Sequence, residues 1–302
     1  MSILAALLAQ GIHIVLMVLT APTLAGVLAA TEARLDGRHG PPVLQVWRDL
    51  ARLARKRPLL AQSASSMTPF APVVRLAATT AAAALVPSFT LGMALSPLAD
   101  LLAIVALLGV ARAAAALTAM DAGTAKGGIV AASSMRLALF GEPALLLAVF
   151  TLALLAGTSN LDLIVSLQRE GMMQPAAASA LAAAALVAVT ISRSRDAADP
   201  ELSGGTLAVT GLADAFGVLV WLNLLSALFL PIGIAEAGGG LVAWLVGLAA
   251  WLAKLTVLAL ALAACRRTFG RHRPRATAEL LAVAGLLALI AVVFALSSAS
   301  SA

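Results

Sequence analysis

Five ionisable side chains lie inside long apolar stretches of this 302-residue chain: Arg75, Arg112, Lys254, Glu142 and Asp214. A charge at the centre of a transmembrane helix costs at least ~2.5–3.5 kcal/mol, so such residues usually face a partner or a hydrated cavity. All five lie at the centre of their stretch or toward the end bounded by basic loops. The pattern predicts a polar pocket entered from that side, able to support ion transfer. For Arg75 and Glu142, snorkelling from a span end, with no path, stays open.

The stretches themselves have the length and composition of transmembrane helices. The chain is 62% hydrophobic and 11% charged, whereas average soluble chains carry about 25% charge. Eight spans can be drawn, each of about 20 residues or more, enough at ~1.5 Å per residue to cross a ~30 Å hydrocarbon core. We therefore predict an all-α polytopic membrane protein with a single membrane domain over residues 1–302. The spans cover residues 3–30, 69–91, 97–120, 137–157, 174–192, 207–233, 241–264 and 278–297.

Basic residues are concentrated in the segments that follow the first, third, fifth and seventh spans. These segments hold 16 of the 20 Lys and Arg, against only Arg169 in the other loops. By the positive-inside rule, the basic loops are cytoplasmic and both termini lie outside. We expect a multi-pass protein of a bacterial-type inner membrane. The predicted cytoplasmic docking loops cover about residues 31–66, 121–136, 193–206 and 265–277.

The first of these loops contains a helix of its own. Over residues 43–57 the apolar side chains, including Trp47 and Leu50, share one helical face, while Arg48, Arg52 and Arg55 line another. That spacing predicts an amphipathic helix. Two roles stay open for it: a helix that lies in the membrane interface, and a docking surface for a soluble partner.

Composition excludes several kinds of chemistry. The single cysteine, Cys265, cannot hold an iron–sulfur cluster, and the three histidines are far apart in sequence. The sequence contains no phosphate-binding loop and no nucleophile elbow. Anionic lipid and membrane orientation explain the basic residues better than nucleic acid does. We expect no catalytic residue, metal or cofactor in this chain.

Three segments resemble the formate hydrogenlyase subunit 4 family, the membrane anchors of energy-converting [NiFe]-hydrogenases. That family is related to the heel subunit of the complex I membrane arm. The segments, in family order along nearly the whole chain, are an Arg-rich loop with Gly-Pro and Leu-Gln pairs, a stretch containing Gly-Glu-Pro, and a span lysine followed by a basic run. They cover residues 33–50, 121–160 and 254–281.

The resemblance implies a non-catalytic membrane subunit of a hydrogenase-like or complex I-like redox complex. Its loops would dock hydrogenase-like large and small soluble subunits, which hold Fe–S clusters and, in a true hydrogenase, Ni–Fe. Its flank would meet antiporter-like membrane subunits. Candidate docking residues are Arg34, Arg38, Arg48, Asp49 and Arg52. Candidates for coupling electron transfer to proton or ion translocation are Lys254, Glu142, Asp214, Arg112, Arg75, Asp196, Asp199 and Glu201. Among these, Asp214 is expected to pair with Arg112 or Lys254.

The chain departs from the family pattern in two places. Ser133 and Ser134 stand where relatives usually carry an Arg-Glu pair, and the loop over residues 192–202 is shorter and less acidic. A serine can hydrogen-bond a water chain but does not store a proton near neutral pH, so an intact and a rerouted proton path both stay open. The alternative function is a stand-alone solute or ion transporter. The absence of an internal repeat and the elaborate first loop argue against that alternative.

Overall fold

A computed structural model describes residues 3–59, 61, 63–193, 202–270 and 274–301 of the chain. Three of the candidate coupling residues, Asp196, Asp199 and Glu201, lie outside the described residues. The described part is almost entirely helical, with two strands of two residues each. Every other candidate named above has a position in the structure.

Eight long helices form the bundle. They are α1 (Ile3–Leu35), α3 (Met67–Leu85), α4 (Leu101–Asp121), α5 (Ala125–Ala156), α7 (Ala176–Arg193), α8 (Gly204–Phe229), α9 (Gly240–Gly270) and α10 (Pro274–Ser301). Two shorter helices, α2 (Gln45–Ala54) and α6 (Leu161–Arg169), lie in connections, as does a 3₁₀ turn at Ser96–Leu98. Strands β1 (Thr90–Leu91) and β2 (Ala235–Glu236) pair in parallel.

Seven of the long helices are apolar and long enough to cross a membrane, and α7 adds a shorter apolar helix over Ala176–Ser192. This confirms the prediction of an all-α polytopic membrane protein. The amphipathic helix expected within residues 43–57 is also present, as α2. The cores of the spans were placed correctly because uninterrupted apolar runs fix them.

The loop before α5 is shorter than the sequence predicted. Helix α5 begins at Ala125, where the Thr124 side chain caps it by accepting a hydrogen bond from the Gly127 backbone N–H at 3.0 Å. The loop predicted over residues 121–136 is therefore reduced to residues 122–124. Hydropathy underestimated the length of this helix because its first turns lie before the most apolar run.

One end of the bundle gathers the segments rich in Lys and Arg, and we call it the basic end. There the Asp121 carboxylate, at the end of α4, accepts hydrogen bonds from the backbone N–H groups of Ser65 and Thr68 at 2.9 and 3.0 Å. Arg266 near the end of α9 pairs with Glu32 near the end of α1 at 2.8 Å. These contacts show that α1, α4 and α9 end on the same side of the bundle, where α3 begins.

The opposite end is closed by hydrogen bonds between its loops. The Asp162 carboxylate accepts hydrogen bonds from the Gly92 backbone N–H at 2.8 Å and the Ser96 hydroxyl at 2.5 Å. Deeper in the bundle, the buried His13 imidazole contacts the Ser88 hydroxyl at 2.7 Å and the Ala83 carbonyl at 3.0 Å. Buried polar groups are costly unless paired, and these pairings fix the 88–96 segment against α1 and α6.

Candidate functional site

A cavity of about 140 Å³ lies between helices α3, α4, α7, α8 and α9. A site for one water needs roughly 10–15 Å³ and two to four polar partners, so this cavity has room for several waters. Three of the five intramembrane charges predicted from the sequence line it. The polar and aromatic lining residues are Arg75, Thr79, Arg112, Thr190, Asp214 and Trp221.

The first ion pair in this cavity joins Arg75 of α3 to Asp214 of α8. The Arg75 guanidinium donates a hydrogen bond to the Asp214 carboxylate, and the side chains are 9% and 36% exposed. One turn further along α3, the Thr79 hydroxyl donates to the Arg75 backbone carbonyl at 3.0 Å. The buried guanidinium and the partly exposed carboxylate place a charge-assisted contact at the cavity wall.

The second ion pair joins Arg112 of α4 to Glu142 of α5, with side chains 12% and 31% exposed. Arg112 also lines a smaller cavity of about 10 Å³, whose wall includes Ser134 and Ser192. Arg112 therefore lies between the two cavities. Glu142 is in the interior of α5 and is held by an arginine, so neither it nor Arg75 is a snorkelling residue without a partner.

Lys254 lies elsewhere in the bundle. Its Nζ donates hydrogen bonds to the backbone carbonyls of Leu230 and Ile232, at 3.0 and 3.1 Å, just beyond the end of α8. The expectation that Lys254 pairs with Asp214 is wrong, because those carbonyls lie more than four turns of α8 away from Asp214. The role of Lys254 in ion coupling stays a prediction, and Lys254 is not among the residues that line the charged cavity.

The expectation for Asp214 named Arg112 or Lys254 and did not include Arg75, with which Asp214 forms an ion pair. Arg112, the other expected partner, lines the same cavity as Asp214 and forms the ion pair with Glu142. Arg75 and Asp214 are 139 residues apart in sequence. Only the packing of α3 against α8 brings them together, and hydropathy carries no information about which helices are neighbours.

The serines that replace the family's charged pair occupy different environments. The Ser133 hydroxyl donates to the Val130 carbonyl of its own helix at 2.8 Å. Ser134 instead lines the smaller cavity beside Arg112. Of the two, only Ser134 is placed where its hydroxyl can meet water next to an intramembrane charge.

The candidate docking residues all lie at the basic end. Arg34 and Arg48 are exposed, Arg38 pairs with Asp36 at 2.8 Å, and Arg52 pairs with Asp49 at 3.0 Å. Their pairs are on the surface, where a salt bridge contributes ~0–1 kcal/mol. These side chains are therefore free to reorganise toward a partner at little energetic cost.

Several cavity residues were not singled out from the sequence. Thr79 and Thr190 are polar lining residues, and Trp221 is 8% exposed and part of the cavity wall. Thr79 could have been found, because it is four residues after Arg75 and so lies on the same helical face. Thr190 and Trp221 carry no such local signal.

No group of three or more His, Cys, Asp or Glu side chains suited to hold a metal ion occurs among the described residues. Four of the five intramembrane charges are instead joined in two Arg–carboxylate pairs. Separating such a pair in a low-dielectric interior changes which protonation state is favoured. The arrangement suits the movement of charge.

An α-helical bundle with intramembrane ion pairs around a cavity and a basic face at one end defines a polytopic membrane protein with an internal charged site. The chain belongs to the NADH dehydrogenase family, whose pattern matches residues 8–296. Nearly the whole described bundle, including the cavity and the first basic loop, falls inside that match. The family resemblance seen in the sequence is thereby confirmed.

Individual relatives agree with this assignment. Formate hydrogenlyase subunit 4 of Escherichia coli (strain K12) is 28% identical over 258 residues, 80% of this chain and 84% of that protein. Hydrogenase-4 component C of the same organism is 28% identical over 239 residues, 74% of this chain and 75% of that protein. The fold matches a chain of the membrane-bound sulfane sulfur reductase, an archaeal respiratory membrane complex, with a TM-score of 0.73 and 20% identity, covering 95% and 98% of the two chains.

Proposed function

We propose that this chain is the non-catalytic membrane subunit of a hydrogenase-like or complex I-like redox complex and anchors its soluble arm. The observation that carries the proposal is the placement of an ion-paired cavity in the same bundle as an exposed basic end. Such a subunit needs a surface for the soluble arm and a charged interior that can respond to it. Membership of the NADH dehydrogenase family and two hydrogenase relatives support it.

The cavity is the proposed site of coupling. Redox changes in a docked subunit would alter the field at Arg75–Asp214 and Arg112–Glu142, and the pairs would respond by changing contacts or protonation. Energetic coupling between separate sites needs elements with two discrete arrangements, and ion pairs beside a polar cavity can supply them. Ser134 would provide a hydrogen-bonding step next to Arg112. The remaining candidates for this path are Lys254, Asp196, Asp199 and Glu201.

The proposed partners are hydrogenase-like large and small subunits at the basic end and antiporter-like subunits against the membrane flank. Fe–S clusters, and Ni–Fe in a true hydrogenase, would belong to the soluble partners. The excess of Lys and Arg at the basic end favours its placement in the cytoplasm, with both termini outside an inner membrane. The identity of the translocated ion, H⁺ or Na⁺, would be set by the cavity and the neighbouring subunits together.

The experiment that tests this function is purification of the tagged chain from its native membrane in mild detergent. Co-purified proteins are identified by mass spectrometry, and iron and nickel are measured. Hydrogenase-like and antiporter-like subunits with bound iron would support the proposal, and nickel would indicate a true hydrogenase. A metal-free protein on its own, in a preparation that keeps a known membrane complex intact, would instead favour a stand-alone transporter.

A further inference from the structure

The connection between α8 and α9 lies beside the apolar part of α9 instead of beyond its end. After α8, residues 230–234 belong to no helix or strand. A Cβ built at Gly233 would stand 2.7 Å from the Ala250 Cβ, so the turn at Gly233 lies against α9. Ala250 is about 15 Å into that helix, at 1.5 Å per residue. The irregular segment therefore lies at the depth of the apolar run 241–264 of α9.

Lys254 holds the beginning of this segment at the outer surface of the bundle. Its Nζ donates hydrogen bonds to the backbone carbonyls of Leu230 and Ile232 at 3.0 and 3.1 Å. Ile232 is 77% exposed, and Leu230 is exposed as well. On α9, Leu252 and Val257 are exposed on either side of the lysine. One amine and two backbone carbonyls thus lie within an apolar surface.

The lipid bilayer cannot satisfy these polar groups at this depth. Lys254 is about 20 Å from one end of the apolar run 241–264 and about 15 Å from the other, whereas lysines snorkel to the interface from positions near helix ends. Irregular backbone at membrane depth is tolerated only where protein buries it or where it lines a water-filled cavity. Lys254 and residues 230–233 are not among the residues that line the charged cavity. The remaining cover is protein from outside this chain.

The lysine amine determines the chemistry of that cover. An ammonium has three N–H donors, and the two carbonyls take two of them. Within the described part of the chain, no Asp or Glu forms an ion pair with Lys254. A charge inside the membrane is costly unless an opposite charge or water accompanies it. A carboxylate on a neighbouring transmembrane helix would supply both the third acceptor and the opposite charge.

We propose that Lys254 and residues 230–233 form an intramembrane contact site for a transmembrane helix of an adjacent subunit, which presents an Asp or Glu to the Lys254 amine. This inference rests on the proposed function, and it makes Lys254 an interface residue instead of a member of the ion path. A lipid phosphate lies at the membrane surface, beyond both ends of the apolar run. A second copy of this chain is a poor source of the carboxylate, because Arg75 and Arg112 hold Asp214 and Glu142.

Site-specific photo-cross-linking of the native complex tests the proposal. The photoreactive amino acid p-benzoylphenylalanine, which reacts with neighbouring C–H bonds, replaces Ile232. The complex is irradiated in its membrane, purified and analysed by mass spectrometry. We expect a product with a transmembrane helix of another subunit that contains an Asp or Glu. The matched control position is Leu146, which is exposed near the middle of the predicted span 137–157. It lies on α5, which packs against α4, α6, α7 and α10, and should not yield this product.

Two variants test the ion pair itself. Lys254→Met keeps the unbranched side chain and removes the amine, so retention of the cross-linked subunit in mild detergent should fall by roughly ten-fold or more, as for the loss of one partner of a buried charge pair. Replacing the partner's carboxylate by its amide as well removes both charges, and at least half of that loss should be recovered. Lys126→Met, at an exposed position at the start of α5, is the control and should retain the subunit.

The outcomes separate this inference from the proposed function. If the complex keeps its membrane subunits while residue 232 is cross-linked only to lipid or to a second copy of this chain, the contact site is refuted and the proposed function stands. The same holds if Lys254→Met lowers the unfolding temperature but retains every subunit, since Lys254 would then only cap the end of α8. If no other membrane subunit co-purifies, in a preparation that keeps a known membrane complex intact, the proposed function and this inference both fail.

Discussion

Replacing Asp214 by Asn is the most informative single change in the cavity. The amide preserves the shape of the side chain and can still accept a hydrogen bond, but it removes the negative charge beside the Arg75 guanidinium. Arg75 is buried, with 9% of its side chain exposed. The substitution therefore leaves a positive charge inside the bundle without the carboxylate that faces it in the native protein.

The size of the effect follows from burial. Removing one partner of a fully buried ion pair destabilises a protein by about 3–5 kcal/mol. Asp214 is 36% exposed and the cavity has room for water, which would screen part of the charge, so we expect a loss of ~2–3 kcal/mol. The double variant with Arg75→Gln removes both charges and should recover at least half of that loss. The coupling energy from the double-mutant cycle equals this recovery plus the cost of Arg75→Gln alone, so it should be at least about 1 kcal/mol.

The assay is equilibrium unfolding in mixed micelles of increasing dodecyl sulfate content, followed by circular dichroism. Asp49→Asn serves as the control, because its pair with Arg52 is on the surface, with side chains 39% and 66% exposed, and should change stability by less than ~1 kcal/mol. The reasoning would be refuted if Asp214→Asn were no more destabilising than this control. It would equally fail if the double variant were less stable than Asp214→Asn alone.

Two further predictions concern the supports of the bundle. Gly26→Ala should lower the free energy of unfolding by about 1–3 kcal/mol, because its Cβ would lie 1.9 Å from the Val43 carbonyl oxygen. The same variant should be cleaved faster by trypsin within residues 48–57. Gly11→Ala, with open space around it, is the control and should be neutral. Asp100→Ala should cost about 1 kcal/mol by removing the α4 N-cap. The Ser159 hydrogen bond lowers the Asp100 pKa. The stability difference between the native protein and Asp100→Ala should therefore have its full size above about pH 4, and it should shrink as the pH falls through the folded-state pKa, which lies below the unfolded-state pKa. Thermal unfolding between pH 3 and 7 measures this difference.

The sequence predicted the helices well and their ends poorly. An uninterrupted apolar run has one stable solution in lipid, a helix that satisfies its own backbone hydrogen bonds, and this placed all eight long helices. The ends depend on local capping and on contacts beyond the membrane. Thr124 starts α5 well before its most apolar part, and Leu35 ends α1 about 50 Å from its beginning.

The charged residues of the cavity were found, but their arrangement was not. Arg75, Arg112 and Asp214 were predicted as site residues because charges are rare inside apolar runs, and all three line the cavity. Their pairing depends on which helices pack side by side, and the small residues that permit close packing occur in every span. Lys254 showed the same sequence signal, yet its amine binds backbone carbonyls at the other end of α8. Rarity therefore identifies an intramembrane charge that needs a partner, without identifying the partner.

The two ion pairs are best understood as one unit. Arg75 and Arg112 line the same cavity and carry like charges. If either arginine lost its carboxylate partner, the repulsion between the two positive charges would be less compensated. Neutralising either carboxylate changes the field at both arginines. The effects of Asp214→Asn and Glu142→Gln should consequently be non-additive, unlike those of distant, independent sites. A redox event that weakened one pair would bias the other through the shared cavity, which is the property that a coupling site requires.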